Sequence, residues 1–409
     1  MHTITPSKSI KTVVIIGDAY PPLQSSASQQ LKDLAIEFLN QDIIPTVITS
    51  DSELMSPYLV ESVDGVKILR LKTLRYKDVS LIRRALAEIS MSFFMIRNYQ
   101  KSSMTSSRWE GIIWYSPSIF LSLFVYYLKI INACQVYLIL RDFFPAWALD
   151  LGLIKKGFFY YFAKCCEKFQ YSVADFIGIQ SFGNLGYFRK CAPSLQKKIQ
   201  VLQNWLAPIP VSYCSISVSE LPIANKKIFI YAGNMGVAQG MGVLIELAEI
   251  LLYRSDIGFL FVGRGADVER LKLEAKNKGL VNTFFFDQIK SDQIPGLYAQ
   301  CHVGLIALDP RHSTHNIPGK FLSYLQSGLP VLAIINKEND LALLIRKYQV
   351  GKATSDYTKE NLKVLAESII DDIKLDANGI SERCRALSRD LFSPQVAVSQ
   401  ILAALNSKK

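Results

Sequence analysis

Short apolar runs recur along the chain, each followed by a loop and then by a segment with helical spacing. Residues 12–16 (TVVII) lead through the loop at 17–26 into a stretch, 27–40, that sets Leu31, Leu34, Ala35 and Phe38 on one helical face. Further apolar runs stand at 45–49, 66–71, 112–115, 136–140 and 176–180, and a short one at 201–202. Strands written as continuous apolar runs are covered on both faces, and alternation with helices makes them parallel. Such sheets take ligands beyond the carboxyl ends of their strands. An α/β chain is therefore expected.

The rhythm breaks at residues 208–227, which hold Pro208, Pro210, Pro222 and four serines, and then restarts. Strands are expected at 227–232, 257–262, 281–286, 303–308 and 331–335. Helices are expected at 243–253, 267–276, 318–326 and 341–347, with helix dominating from 357 onward. At 409 residues the chain suits two cores better than one. The expected division is 1–207, 208–385, and a C-terminal helix at 386–409 that crosses back to the first domain.

Seven cysteines without a CxxC pair read as free, mostly buried thiols in a reducing compartment. The polar first eleven residues do not resemble a signal peptide. The most apolar stretch, 111–133, is interrupted by Pro117, Lys129 and Asn132; it reads as a strand followed by a buried or half-buried helix, with an interfacial helix and a membrane span as alternatives. Net charge is +11, and residues 67–108 hold ten lysines and arginines against Asp78 and Glu88. Beside the apolar run at 89–96, that charge suits an anionic membrane surface or a phosphate-bearing substrate, and an ordinary solvated face also fits it. No nucleic-acid-binding motif is present.

Two loops carry chemistry. The first, at 233–240 (GNMGVAQG), joins a strand to a helix; its glycines admit positive φ, and the helix start offers free N–H groups to a diphosphate. A glycine-rich connection without a ligand fits the same spacing. It lacks the GxGxxG spacing and the following acid of dinucleotide-binding folds. The second, at 309–321, contains His312, His315, Asn316 and Lys320. Imidazole, amide and ammonium groups there can meet phosphates or sugar hydroxyls, or can be satisfied loop groups. Asp309 and two histidines without cysteine are a poor metal set. Glu338 or Asp340 can face the ligand from another strand end, beside an N-capped helix start at 337–341. In the first half, Ser25 and Ser26 precede a helix and can meet donor phosphates. Asp142 reads equally as an acceptor anchor, an N-cap or a partner of Arg141.

The segments GDAYPPLQSSASQQL, RDFFPAWALDLGL, LQNW, YAGNMGVAQGM, FVGRGADVERL and HNIPGKFLSYLQSGLPVLAIINKENDL together resemble retaining glycosyltransferases of the GT-B fold, family 4, nearest the bacterial O-antigen and capsule L-fucosamine transferases. The resemblance implies two Rossmann-like domains with parallel sheets facing across a cleft. It implies a UDP-sugar donor, best matched by UDP-N-acetyl-L-fucosamine, and a polyprenyl-diphosphate-linked acceptor at the inner face of the plasma membrane. No cofactor or metal is required. Gly233, Asn234, Gly236 and Gln239 fall on the phosphate loop, with Asn234 and Gln239 where the family carries Arg and Lys; Arg264 and Lys320 are expected to compensate. His315 and Ser323 stand where the family places paired glutamates. The expected catalytic set is Asp142, His315 and Lys320. Competing readings are a non-catalytic binding subunit on the same fold and a nucleotide-sugar epimerase, the latter disfavoured because His2 alone precedes residue 302.

Overall fold

The computed structural model describes residues 10–407, apart from positions 24, 77–78, 117, 151, 153, 237–238, 310–316 and 338. The chain forms two compact units. The first comprises Met1–Gln180, Leu185–Gln203 and Pro394–Lys409, and the second Ser181–Asn184 and Asn204–Ser393.

The first unit contains, in chain order, β1 (Thr12–Gly17), α1 (Ser26–Asn40), β2 (Ile44–Asp51), β3 (Tyr58–Val63), β4 (Val66–Lys72), α2 (Leu81–Gln100), β5 (Gly111–Ser116), α3 (Ser122–Asn132), β6 (Gln135–Leu140), α4 (Ala146–Asp150), α5 (Phe158–Val173), β7 (Phe176–Ile179), α6 (Leu185–Cys191) and β8 (Ile199–Val201). Its sheet runs β3-β4-β2-β1-β5-β6-β7-β8. All neighbours are parallel except β3 and β4. Successive residues of a strand point to opposite faces. Val14, Ile16, Ile112, Trp114, Val136 and Leu138 accordingly join one core with Met95 and Tyr99 of α2, Phe124 and Leu128 of α3, and Tyr171 of α5. On the other face Gly111 leaves room for Leu405, whose Cδ1 would lie 3.0 Å from a Cβ there.

The second unit contains β9 (Lys227–Asn234), α7 (Gly242–Ile250), β10 (Ile257–Arg264), α8 (Val268–Asn277), β11 (Thr283–Phe286), α9 (Ile294–Tyr298), β12 (Val303–Ala307), α10 (Gly319–Gln326), β13 (Val331–Ile334), α11 (Asp340–Tyr348), β14 (Gly351–Thr354) and α12 (Lys359–Phe392). The sheet order is β11-β10-β9-β12-β13-β14, parallel throughout. Its central strands are sealed: residues 228–231 of β9 have no exposed surface. The last helix, α13 (Pro394–Asn406), packs on α1 within the first unit.

Several elements escaped the sequence reading. β3 (YLVESV) and β14 (GKAT) have no fully buried residue and so carry no apolar run. Their positions at sheet edges explain this, because an edge strand is covered incompletely. α2 and α5 were obscured because apolar residues stand on their outer as well as inner faces. Of the described cysteines none is bridged; Cys384 is buried but Cys165 is exposed, so burial is not general.

Candidate functional site

In the second unit the site begins at the carboxyl ends of β9 and β10, where Gly263 pairs with Gly233 and Arg264 with Asn234. A Cβ on Gly263, at φ +155°, would sit 1.9 Å from the Gly233 carbonyl oxygen, so this close approach admits glycine alone. The two following loops are stitched together: Met235 donates its N–H to Arg264 O at 2.7 Å, and Asp267 donates to Met235 O at 3.0 Å.

Within the phosphate-loop candidate, Gln239 acts as an internal brace. Its Oε1 accepts from Gly236 N at 3.0 Å and from Asn234 Nδ2 at 3.1 Å. Asn234 and Gln239 thus bond to one another within the loop. Arg264 is exposed, and its side chain makes no hydrogen bond among the described residues.

Helix α10 brings the cation. Tyr324 lies across β12, with its ring filling the space above Gly304. Its hydroxyl is 3.1 Å from Ile230 O and 3.2 Å from Leu305 O, and it accepts from Ala232 N at 3.4 Å. One turn earlier on the same face stands Lys320. Its ammonium lies 3.4 Å from the centroid of the Tyr231 ring, and Nζ would be 3.7 Å from a Cβ on Gly233. No carboxylate among the described residues pairs with it. Although the residue keeps some surface, its ammonium is enclosed, and desolvation pulls its pKa down to about 7. Tyr231 in turn donates its hydroxyl to Asn234 O at 2.6 Å, so ring and loop are fixed together. Both tyrosines were missed in the sequence; the available signal was an aromatic residue two positions before the first loop glycine.

Ser323 donates its hydroxyl to Lys320 O at 3.0 Å, a bond within its own helix. Asn339 caps α11 by accepting from Leu341 N at 3.0 Å. His315, Asn316 and Glu338 lie outside the described residues. His302 is structural: Ile228 N donates to its Nδ1 at 3.1 Å, tying the starts of β9 and β12. Among the described residues no three metal-ligating side chains converge.

In the first unit, Ser25 is the N-cap of α1, its Oγ accepting from Ser28 N at 3.1 Å, and Ser26 is exposed. Arg70 is withdrawn from the expected basic face: it is buried, donates Nε to Glu61 Oε1 at 2.6 Å, and donates Nη2 to Pro21 O. Its role is to hold the β1–α1 loop. Arg141 and Asp142 follow β6. No ion-pair contact joins them among the described residues, although the two charges attract one another. Asp142 keeps more than a third of its surface open, yet enough neighbouring mass surrounds it that desolvation raises its carboxyl above the ordinary range.

One surface of the first unit is apolar. Leu86, Ile89 and Phe93 on α2, Leu123, Tyr126 and Ile130 on α3, and Phe158, Tyr161 and Phe169 on α5 are all exposed, Phe158 by 90%. In α2 and α3 the spacing is i, i+3, i+7, which aligns them on one outer face of each helix. α3 packs against both α2 and α5, and the Tyr126 and Phe169 rings meet at 5.7 Å. No helix among the described residues is long and apolar enough to cross a membrane.

Residues 216–380 match the family of glycosyl transferases group 1. The chain is 22% identical over 336 residues to the probable glycosyltransferase WbjE of Pseudomonas aeruginosa, covering 80% of each protein. It is 34% identical over 104 residues, 25% of each chain, to the putative colanic acid biosynthesis glycosyl transferase WcaI of Escherichia coli. Among solved structures it resembles WaaG, a glycosyltransferase involved in lipopolysaccharide biosynthesis, with a TM-score of 0.59 at 15% identity over 95% of this chain and 99% of that one. It also resembles Anabaena HepE in complex with UDP and glucose, with a TM-score of 0.65 at 15% identity over 97% and 100%. With two parallel-sheet α/β units matching such structures and the group 1 match across residues 216–380, the chain is a glycosyltransferase of the GT-B fold.

Proposed function

We propose that the protein transfers a sugar from a UDP-sugar to a polyprenyl-diphosphate-linked saccharide, with retention at the anomeric carbon, in the assembly of lipopolysaccharide O-antigen or capsule. The observation that carries this is Lys320, an enclosed ammonium with no described carboxylate partner, held by Tyr231 beside the glycine-rich end of β9. An uncompensated buried cation is costly and stays only where an anion repays it. A nucleotide diphosphate is such an anion, and the similar HepE structure holds UDP and glucose.

In this reading Gly233, Gly236 and Lys320 hold the diphosphate, with Arg264 at its rim. The acceptor hydroxyl bonds to the anomeric carbon on the face from which UDP leaves. The C–O bond to the β-phosphate breaks, and the departing phosphate oxygen takes the hydroxyl proton. The protein supplies positive charge to the leaving group, the dominant need in such a transfer. His315 and Glu338 would address the donor sugar, with Asp142 on the acceptor. N-acetyl-L-fucosamine is the proposed sugar, from the resemblance to family 4 O-antigen and capsule transferases. WcaI and WaaG support the setting through what their names describe, colanic acid and lipopolysaccharide biosynthesis.

The acceptor's lipid calls for a protein that works at the membrane. The apolar outer faces of α2, α3 and α5, with Arg83, Arg84, Arg97, Lys155, Lys156 and Lys168 exposed in or beside the same helices, suit an anionic inner leaflet. A second reading, a donor-binding subunit without turnover, is favoured by Ser323, whose hydroxyl bonds within its own helix where the family has a glutamate. UDP release from a panel of UDP-sugars, with and without a short-chain polyprenyl-diphosphate-GlcNAc acceptor, separates the two. Acceptor-dependent release with one donor supports the transferase; UDP binding without release for any donor supports the subunit.

A further inference from the structure

Arg141 is a second enclosed cation, in the other unit and on a different sheet; the neighbouring Asp142 attracts it but makes no ion-pair contact with it. Its backbone is fixed on both sides: its N–H donates to Ser116 O at 3.3 Å, and its carbonyl accepts from Gln180 Nε2 at 2.6 Å. These bonds lock it beyond the carboxyl ends of β5, β6 and β7, where parallel sheets receive ligands. The guanidinium carbon stands 5.6 Å from the centroid of the Tyr115 ring. Tyr115 is itself anchored, donating its hydroxyl to Gln30 Oε1 at 2.7 Å. The guanidinium therefore lies by an aromatic plane, with the Asp142 charge attracting it from outside ion-pair contact.

The Arg141 Nη1 is closed to solvent and has no hydrogen-bond partner, and no carboxylate among the described residues pairs with it. A guanidinium stays charged in a protein, so the site holds a desolvated positive charge. At the end of the adjacent strand β5, the buried hydroxyl of Ser118 also lacks a partner. A fixed planar fork at a sheet's ligand end, with a spare hydroxyl at the exit of the neighbouring strand, has the chemistry to meet a tetrahedral oxyanion.

We propose that Arg141 is the centre of an anion site that takes a phosphate of the acceptor, separate from the donor diphosphate at Lys320. The assignment rests on the transferase reading above, in which the acceptor carries a diphosphate, and adds the residue that recognises it. It makes Arg141 a specificity-determining residue: a saccharide without phosphate lacks the group that this fork recognises.

Inorganic pyrophosphate is the probe, titrated calorimetrically into the full chain already saturated with UDP. The expected result is one remaining pyrophosphate site, weakened at least tenfold in Arg141→Gln, with UDP affinity unchanged in that variant. No pyrophosphate binding to the UDP-saturated wild type, or equal binding by Arg141→Gln, overturns the site. A matching loss of UDP affinity in Arg141→Gln assigns the group to the donor's phosphate and overturns the acceptor assignment. Failure of the wild type to bind UDP at all counts against the donor reading, and the comparison of wild type with Arg141→Gln then judges the anion site alone. Should Arg141→Gln not fold, phenylglyoxal labelling of the wild type serves. Pyrophosphate should protect Arg141 with UDP present, and undiminished labelling contradicts the proposal.

Discussion

The Lys320 ammonium rests 3.4 Å from the centre of the Tyr231 ring, and no described carboxylate shares its charge. Attraction to the ring face offsets part of the desolvation, on the order of 1–2 kcal/mol for a desolvated pair. It does not restore the lysine's ordinary basicity, since the pKa falls to about 7. The ligand-free protein therefore has a lysine that changes charge near neutrality.

That titration gives a pH dependence with a defined sign. Below pH 7 the ammonium is charged and meets a diphosphate directly. Above it, the free protein loses the charge and must take up a proton to bind. UDP affinity should fall by up to about tenfold per pH unit from pH 7 to 9. Calorimetry in buffers of different ionisation enthalpy should register proton uptake on that limb. Affinity that stays flat from pH 6.5 to 9 in the wild type would remove Lys320 from the diphosphate.

The same burial weakens the ligand-free fold. The folded pKa lies below the unfolded value of about 10.4, so the unfolded chain holds the extra proton between those values. Stability from this group is lowest below pH 7 and recovers as pH rises towards 10. Lys320→Met should raise stability by about 1–2 kcal/mol at pH 6, with the gain fading by pH 10. Denaturant unfolding at the two pH values measures it, and a loss of stability at pH 6 would argue that an ion pair holds the lysine.

Gly263 is fixed by geometry alone. Any Cβ there collides with the Gly233 carbonyl at 1.9 Å, at a φ that side chains rarely adopt. Gly263→Ala should cost about 3 kcal/mol and disturb the junction of β9 and β10. Thermal unfolding together with UDP binding reads both effects, and a neutral substitution would contradict the close approach.

The outer faces of α2, α3 and α5 predict vesicle binding that needs two signals. Replacing Phe93, Ile130 and Phe158 together by serine should reduce binding to anionic vesicles at least tenfold without changing UDP affinity, because these side chains are exposed. Raising salt should release much of the wild type, as charge contributes alongside insertion. Equal vesicle binding by the triple variant in co-sedimentation would exclude this face.

The central strands were legible because burial on both faces writes them as unbroken apolar runs, as in residues 228–231. The edge strands β3 and β14 were not, since partial covering erases that signal. At the site, Lys320 and the glycines could be read from their place after a strand and at a helix start. Tyr231 could not: its role depends on a cation 89 positions further on, which only the pairing of β9 with β12 and the seating of α10 bring beside it. Arg70 misled for the opposite reason. Read as part of a basic surface, it is drawn inward by Glu61 on the antiparallel edge strand, a contact that sequence spacing does not announce. Gln239, expected at the diphosphate, also braces its own loop, a contact that spacing likewise does not announce.

The most direct measurement compares UDP binding by wild type and Lys320→Met at pH 6.5, using calorimetry on the full chain. The account predicts saturable binding at one site in the wild type and a loss of at least tenfold in Lys320→Met, with the variant folded. Equal UDP affinity in the two proteins would contradict the assignment of the donor diphosphate to Lys320 and the end of β9.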